Sequence, residues 1–150
     1  MKNATSGEPR LFRQTSALVK NYVREAGSSR VRGLLTTYEF LSSAITPVEL
    51  HSAVQQRRRQ REITQPNYNS VVARLANDRS YWQLVEVVPE VLSKAEDLIK
   101  TESVRTLDAI HIASAIIIQE SFPTPLPFIS ADERQLAAAQ NCKLSVIAIS

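Results

Sequence analysis

The sequence predicts an α/β fold in which helices cover a mostly parallel sheet, and three observations predict it. Short runs of β-forming residues alternate with longer runs whose apolar positions recur at helical spacing. No hairpin-type turn joins consecutive strands, so each strand is followed by a crossover rather than a reversal. Finally, 150 residues with 43% apolar and 22% charged content suit one globular domain able to bury a proper core.

The elements are justified in chain order. Residues 1–9 are polar and lack the apolar stretch of a signal peptide, so they read as a disordered lead-in to a domain spanning 10–150. A short strand at 11–13 leads to Thr15 or Ser16 as a helix cap, and Gly27 ends that helix. Ser28 or Ser29 starts a second helix to about residue 35, and residues 40–45 form a strand. Thr46 as N-cap, Pro47 at the first helical position and Glu49 three after the cap open the next helix.

Thr64-Gln65-Pro66 opens another helix, with Tyr68, Val71, Val72 and Leu75 on one side. Residues 82–88 read as a strand, and Pro89 begins a helix through about residue 100. Thr106 caps a helix over 107–119 whose apolar residues nearly encircle it, which predicts a central position. Pro123, Pro125 and Pro127 stiffen a loop feeding a strand at 128–129, followed by a helix over 132–140 and a last strand over 144–149.

Composition excludes several functions. Three glycines and no Gly-rich phosphate motif argue against a nucleotide-binding loop. The single Cys142 cannot form an internal disulfide or a cysteine-built zinc site, which fits a reducing cytoplasm. The apolar stretch 109–118 is broken by His111 and Ser114 and is too short to span a bilayer, so a soluble cytoplasmic protein is expected. The net charge of +3 only weakly favours a polyanionic partner. Its distribution says more: Arg57, Arg58, Arg59 and Arg61 crowd a helix end, where they either complement the macrodipole or contact RNA phosphates or an acidic partner segment.

Three helix starts carry a carboxylate in the first turn: Glu49, Asp108 and Asp132. Ligands of open α/β sheets bind outside the carboxyl ends of the strands, where Glu49 and Asp132 should fall and Asp108 could join them. Acids gathered this way hold a hard divalent cation for phosphodiester chemistry. Each acid alone could equally be a helix cap or a favourable N-terminal charge, so residue type and spacing leave both readings open. His51 and His111 read as structural histidines, although His111 lies one turn after Asp108 and the two side chains could meet. No Ser-His-Asp set has recognisable local context, and Cys142 has no nearby partner, which disfavours a covalent nucleophile.

These residues also carry a family resemblance. Gln-Thr-Ser-Ala-Leu-Val-Lys at 14–20 resembles the Asp-Thr-Ser-Ala-Leu opening of PIN-domain proteins. Arg-Thr-Leu-Asp-Ala-Ile-His-Ile-Ala-Ser-Ala at 105–115 closely resembles that family's central-helix phrase. Phe-Ile-Ser-Ala-Asp at 128–132 is similar to its last acidic motif. Order and spacing are those of VapC-like toxins, over nearly the whole chain from Leu11.

The resemblance implies a three-layer α/β/α sandwich and an Mg²⁺- or Mn²⁺-dependent endoribonuclease. It also implies a toxin restrained by a VapB-like antitoxin and acting as a homodimer. Glu49, Asp108 and Asp132 carry over as catalytic metal ligands, with Gln14 and Ser130 as further candidates. Ser130, Thr15 or Ser16 would orient water, and Glu133 is a secondary candidate. The departure is Gln14, where the family pattern has aspartate; an amide oxygen can coordinate but lacks the full charge. Three readings therefore compete: an attenuated ribonuclease, a non-catalytic PIN-like protein binding RNA or antitoxin, and a generic α/β module whose acids only cap helices.

Overall fold

The computed structural model describes residues 10–23, 33 and 39–149. Five short strands form its sheet: β1 (Arg10–Arg13), β2 (Glu39–Ser43), β3 (Gln83–Val85), β4 (Phe128–Ser130) and β5 (Val146–Ala148). The helices are α1 (Thr15–Val19), α2 (Thr46–Arg59), α3 (Gln65–Arg79), α4 (Pro89–Thr101), α5 (Thr106–Gln119) and α6 (Glu133–Asn141). The strand order is β3-β2-β1-β4-β5, and every neighbouring pair is parallel. The connections from β1 and from β4 leave toward opposite edges of the sheet. A crevice therefore opens at the carboxyl ends of these two strands, the place where such folds bind ligands.

Alternation along the strands divides the core between two faces. Phe12 and Phe128, paired in register, stack with ring centroids 5.7 Å apart. They share one cluster with Val91, Ala95 and Leu98 of α4, Ile112 and Ala113 of α5, and Ala138 and Ala139 of α6. Ile129, next along β4, turns to the other face against Ala17 and Ile149. Leu18, Leu50, Val54, Val71 and Leu75 knit α1, α2 and α3 together in a further cluster. The result is three layers, α/β/α. Each fully buried Leu, Ile or Phe side chain contributes roughly 1.5–3 kcal/mol from burial.

The central helix is as the sequence predicts: all seven residues from Ala109 to Ala115 of α5 are buried. Ser114 satisfies its hydroxyl by donating to the Ile110 carbonyl at 2.7 Å. Thr64 caps α3 as expected, accepting from the Asn67 amide at 3.2 Å.

Three expected caps shift. Gln14, not Thr15 or Ser16, is the N-cap of α1, its side chain accepting from the Ser16 amide. Ile45 and Arg105 occupy the N-cap positions of α2 and α5 without a side-chain cap bond. Thr46 is buried inside the first turn, its hydroxyl 2.6 Å from that of Ser42, which donates to the Arg13 carbonyl at 2.5 Å. The strand expected over 82–88 pairs only at Gln83–Val85, at the sheet edge, and the last strand is likewise shorter than 144–149. The first helix, expected to run to Gly27, ends already at Val19, with Lys20 as its C-cap and a turn over 20–22. Gly27 itself and the helix toward residue 35 fall outside the described residues, save for Gly33.

Helices α2 and α6 end with a residue in the left-handed region without using glycine: Arg61 at φ 60° and Lys143 at φ 66°. In each case the following amide bonds back to the carbonyl five residues earlier, Glu62 to Arg57 at 2.9 Å and Leu144 to Ala139 at 3.1 Å. No helix among the described residues is long and apolar enough to cross a membrane.

Candidate active site

The site is assembled from the segments that leave β1, β2 and β4 and from the start of α5. Gln14, immediately after β1, is tied to β4 by its amide, which donates to the Ile129 carbonyl at 3.1 Å. Its side-chain oxygen turns back to cap α1, accepting from the Ser16 amide at 2.6 Å. Thr15 is thereby set facing α2, and its hydroxyl donates to Oε1 of Glu49 at 2.8 Å. The same Oε1 accepts from Nε2 of His111, which reaches it from the buried centre of α5. Glu49 is therefore not the reciprocal half of a capping box with Thr46; its carboxylate joins α1 and α5 to α2.

On the β4 side, Asp132 is the N-cap of α6, its Oδ1 accepting from the amides of Arg134 at 2.9 Å and Gln135 at 3.2 Å. Gln135 is wholly buried and bridges two parts of the site. Its side-chain oxygen accepts from the Ser130 hydroxyl at 2.6 Å, while its amide nitrogen donates to Oδ1 of Asp108 at 3.4 Å. Ser16 joins the same network, accepting from the Ala131 amide at 3.0 Å.

An open cleft of about 910 Å³ lies over these residues. Glu49, Asp108 and Asp132 all line it, together with Ser16 and Glu133. Gln14 and Ser130 do not. Both lie behind the wall, 5% and 0% exposed, with their oxygens held by the Ser16 amide and by Gln135 and the Asp132 amide. Such buried polar atoms take partners within the fold.

The acids differ in their electrostatics. Burial, the neighbouring Asp132 charge and the Glu49 charge together hold the Asp108 carboxyl above its ordinary range, against a smaller pull from His111. Burial pushes Glu49 the same way, but the hydrogen bond and charge of His111 and the Thr15 hydroxyl outweigh it, and Glu49 lies below its ordinary range.

The donors suit a hard cation, being carboxylate oxygens whose mutual repulsion a positive charge would relieve. Among the described residues, however, no group of three or more His, Cys, Asp or Glu side chains is arranged to hold a metal ion. With one oxygen each of Glu49 and Asp132 already bonded, the site is no closed protein cage. Its openness leaves room for the waters that a hard cation keeps.

Sequence reasoning missed the partners of the acids: Thr15 and His111 for Glu49, Gln135 for Asp108. It also missed Arg105 and Arg134, which line the cleft and stand in no ion pair among the described residues. The arginine run lies elsewhere. Arg58, Arg59 and Arg61 line a separate groove of about 530 Å³ at the turn between α2 and α3. Within the run, Arg57 pairs with Glu62 at 2.9 Å and the Arg58 guanidinium lies 5.6 Å from the Tyr68 ring centre. His51 is exposed on α2.

A family model described as the PIN domain matches residues 14–141. No curated protein sequence matches significantly. Among solved structures, FitAcB from Neisseria gonorrhoeae aligns with a TM-score of 0.68 at 17% identity, covering 91% of this chain and 96% of that one. VapBC-5 from Mycobacterium tuberculosis, a member of the VapBC family of toxin–antitoxin systems, gives 0.61 at 15% identity over 93% and 98% of the two chains. VapC20 of the same organism, described as a Sarcin-Ricin loop cleaving toxin, gives 0.62 at 13% identity over 85% and 94%.

Proposed function

The chain belongs to the PIN-domain family, and from that membership we propose that it is an Mg²⁺- or Mn²⁺-dependent endoribonuclease, the toxin of a VapBC-type pair, attenuated by Gln14. The observation that carries the reading is the convergence of Glu49, Asp108 and Asp132 on one cleft from three separate helix starts. In this reading Glu49, Asp108 and Asp132 would hold the cation, Glu49 and Asp132 with the carboxylate oxygens that take no hydrogen bond among the described residues. When bound, it supplies Lewis acidity and neutralises the charge that develops on the phosphate. Arg105 and Arg134 hold the phosphodiester against the carboxylates, and Ser16 hydrogen-bonds at the same wall. The toxin–antitoxin system named for one structural neighbour supports a VapB-like antitoxin as partner. Val88, at the N-cap of α4, and Leu92 and Ile99 on that helix are exposed apolar residues, which suits a homodimer contact in the cytoplasm.

A second reading, a non-catalytic PIN-like protein that binds RNA or antitoxin, has its own support. The Gln14 oxygen and Oε1 of Glu49 already have partners inside the protein. Cleavage of RNA by the wild-type chain with Mg²⁺, Mn²⁺ or EDTA separates the two. Metal-dependent cleavage lost in Asp108→Asn supports the nuclease. RNA binding without cleavage under any metal condition supports the second reading.

A further inference from the structure

Beyond the three acids, we infer that His111, together with Thr15, is the positioning residue for Glu49, fixing Oε1 on the buried side so that Oε2 is the oxygen offered to the cleft. The inference rests on the reading of Glu49 as a cation-holding acid.

The hydrogen-bond chemistry allows one arrangement. An ionised carboxylate only accepts, so both neighbours of Oε1 must donate. Thr15 gives its hydroxyl hydrogen, and His111 therefore carries its hydrogen on Nε2. No second group dictates that tautomer, because Nδ1 of His111 is buried without a hydrogen-bond partner among the described residues. Glu49, with the Thr15 hydroxyl 3.3 Å from the same Nε2, orients the ring. No hydrogen bond among the described residues reaches Oε2, while the Glu49 side chain stays 20% exposed and lines the cleft.

A histidine in this place is costly unless it acts. It is 0% exposed in the most apolar helix of the fold, between Ile110 and Ile112. A residue serving only to fill that space would be apolar, since a buried ring nitrogen without a partner costs desolvation. What the position gains is a donor at Oε1, which removes the rotational freedom of a long acidic side chain before any ligand arrives. Groups that orient a ligating side chain in this way typically govern metal affinity by about 10–100-fold.

The test uses the whole chain. In protein carrying ¹⁵N-histidine, with the His51 signals assigned through His51→Asn, the long-range ¹H–¹⁵N spectrum should show His111 protonated at Nε2. Its Nε2 signal should move in Glu49→Ala. Mn²⁺ titration followed by electron paramagnetic resonance should then show His111→Leu and Thr15→Val binding about tenfold more weakly. His111→Gln, whose amide nitrogen can still donate, and Thr15→Ser should stay within about threefold of wild type. On the Glu49→Ala background His111→Leu should change Mn²⁺ binding no further, an effect a merely structural role would not produce. Thr15→Val keeps the side-chain volume and covers the case in which His111→Leu fails to fold. A ring protonated at Nδ1 overturns the inference, as does a folded His111→Leu that binds Mn²⁺ as tightly as wild type. If the wild-type chain binds no Mn²⁺ while Nε2 carries the Glu49-dependent hydrogen, the clamp is upheld and the metal reading itself fails.

Discussion

The side-chain oxygen of Gln14 accepts the Ser16 amide at 2.6 Å, so the residue standing where the family motif has an acid serves as a helix cap. Aspartate is at least as good an N-cap acceptor. Gln14→Asp should therefore preserve α1 while adding a carboxylate at the carboxyl end of β1, just behind the wall of the cleft that the other three line. We expect metal-dependent RNA cleavage to rise at least tenfold over wild type, with little change in melting temperature. Parallel cleavage assays in Mg²⁺, Mn²⁺ and EDTA measure it. No rise would count against assigning position 14 to the first acid of the motif.

The pH dependence of stability should show opposite contributions from two acids of the cleft. Asp108 is held above its ordinary 3.8, so it stabilises the fold fully below that value and loses the contribution as pH rises through its folded pKa. Glu49 is held below its ordinary 4.5, so its contribution is present above that value and is lost as pH falls through the folded pKa. Asp108→Asn should melt higher than wild type at neutral pH, and the advantage should vanish in acid. Glu49→Gln should melt lower at neutral pH. Melting curves from pH 3 to 8 test both signs. Added Mn²⁺ should raise the melting temperature of wild type and not of Asp108→Asn, because only a ligand that binds the folded state stabilises it.

Local signals made most of the fold and the three acids legible. The burial of residues 109–115 follows from an apolar helix surface, and the Thr64 cap from its own side chain. Thr46 was misplaced because Ser42, Ser43, Ala44 and Ile45 do not mark where strand yields to helix; the answer lies in the Ser42 to Arg13 bond, 29 residues apart. The length of β3 depends on pairing with β2, a tertiary fact. The helix ends at Arg61 and Lys143 lack the glycine that would have announced them. At the site, what stayed hidden is the support of the acids. His111 meets Glu49 across 62 residues and Gln135 meets Asp108 across 27, distances no local pattern spans.

Gln135 makes that hidden support measurable. Its amide joins the Ser130 hydroxyl to the Asp108 carboxylate inside the protein. Gln135→Met keeps the volume and removes both bonds, leaving the buried Ser130 hydroxyl without that acceptor. The loss should cost about 1–3 kcal/mol in denaturant-measured stability. Cleavage by Gln14→Asp/Gln135→Met should fall below that of Gln14→Asp alone, since Asp108 loses its one side-chain donor among the described residues. Unchanged stability would show that the bridge is not made in solution.

The two sets of arginines should separate in their response to salt and in their effect on cleavage. Each phosphate contact to single-stranded RNA contributes about 0.7 to the slope of log affinity against log salt. Neutralising Arg57, Arg58, Arg59 and Arg61 to glutamine should flatten that slope by at most roughly 3. The change should be less if Arg57 stays paired with Glu62. Because that groove is distinct from the carboxylate cleft, cleavage at saturating RNA should be unaffected. Arg105→Gln/Arg134→Gln should flatten the slope by only about 1.4, yet reduce cleavage even at saturating RNA, because these cations line the cleft that holds the acids. Filter binding from 50 to 300 mM salt, alongside cleavage by the Gln14→Asp form, distinguishes the sets. An unchanged slope in the fourfold variant would return the run at the end of α2 to a solvated helix terminus, its charges complementing the carbonyls of the last turn.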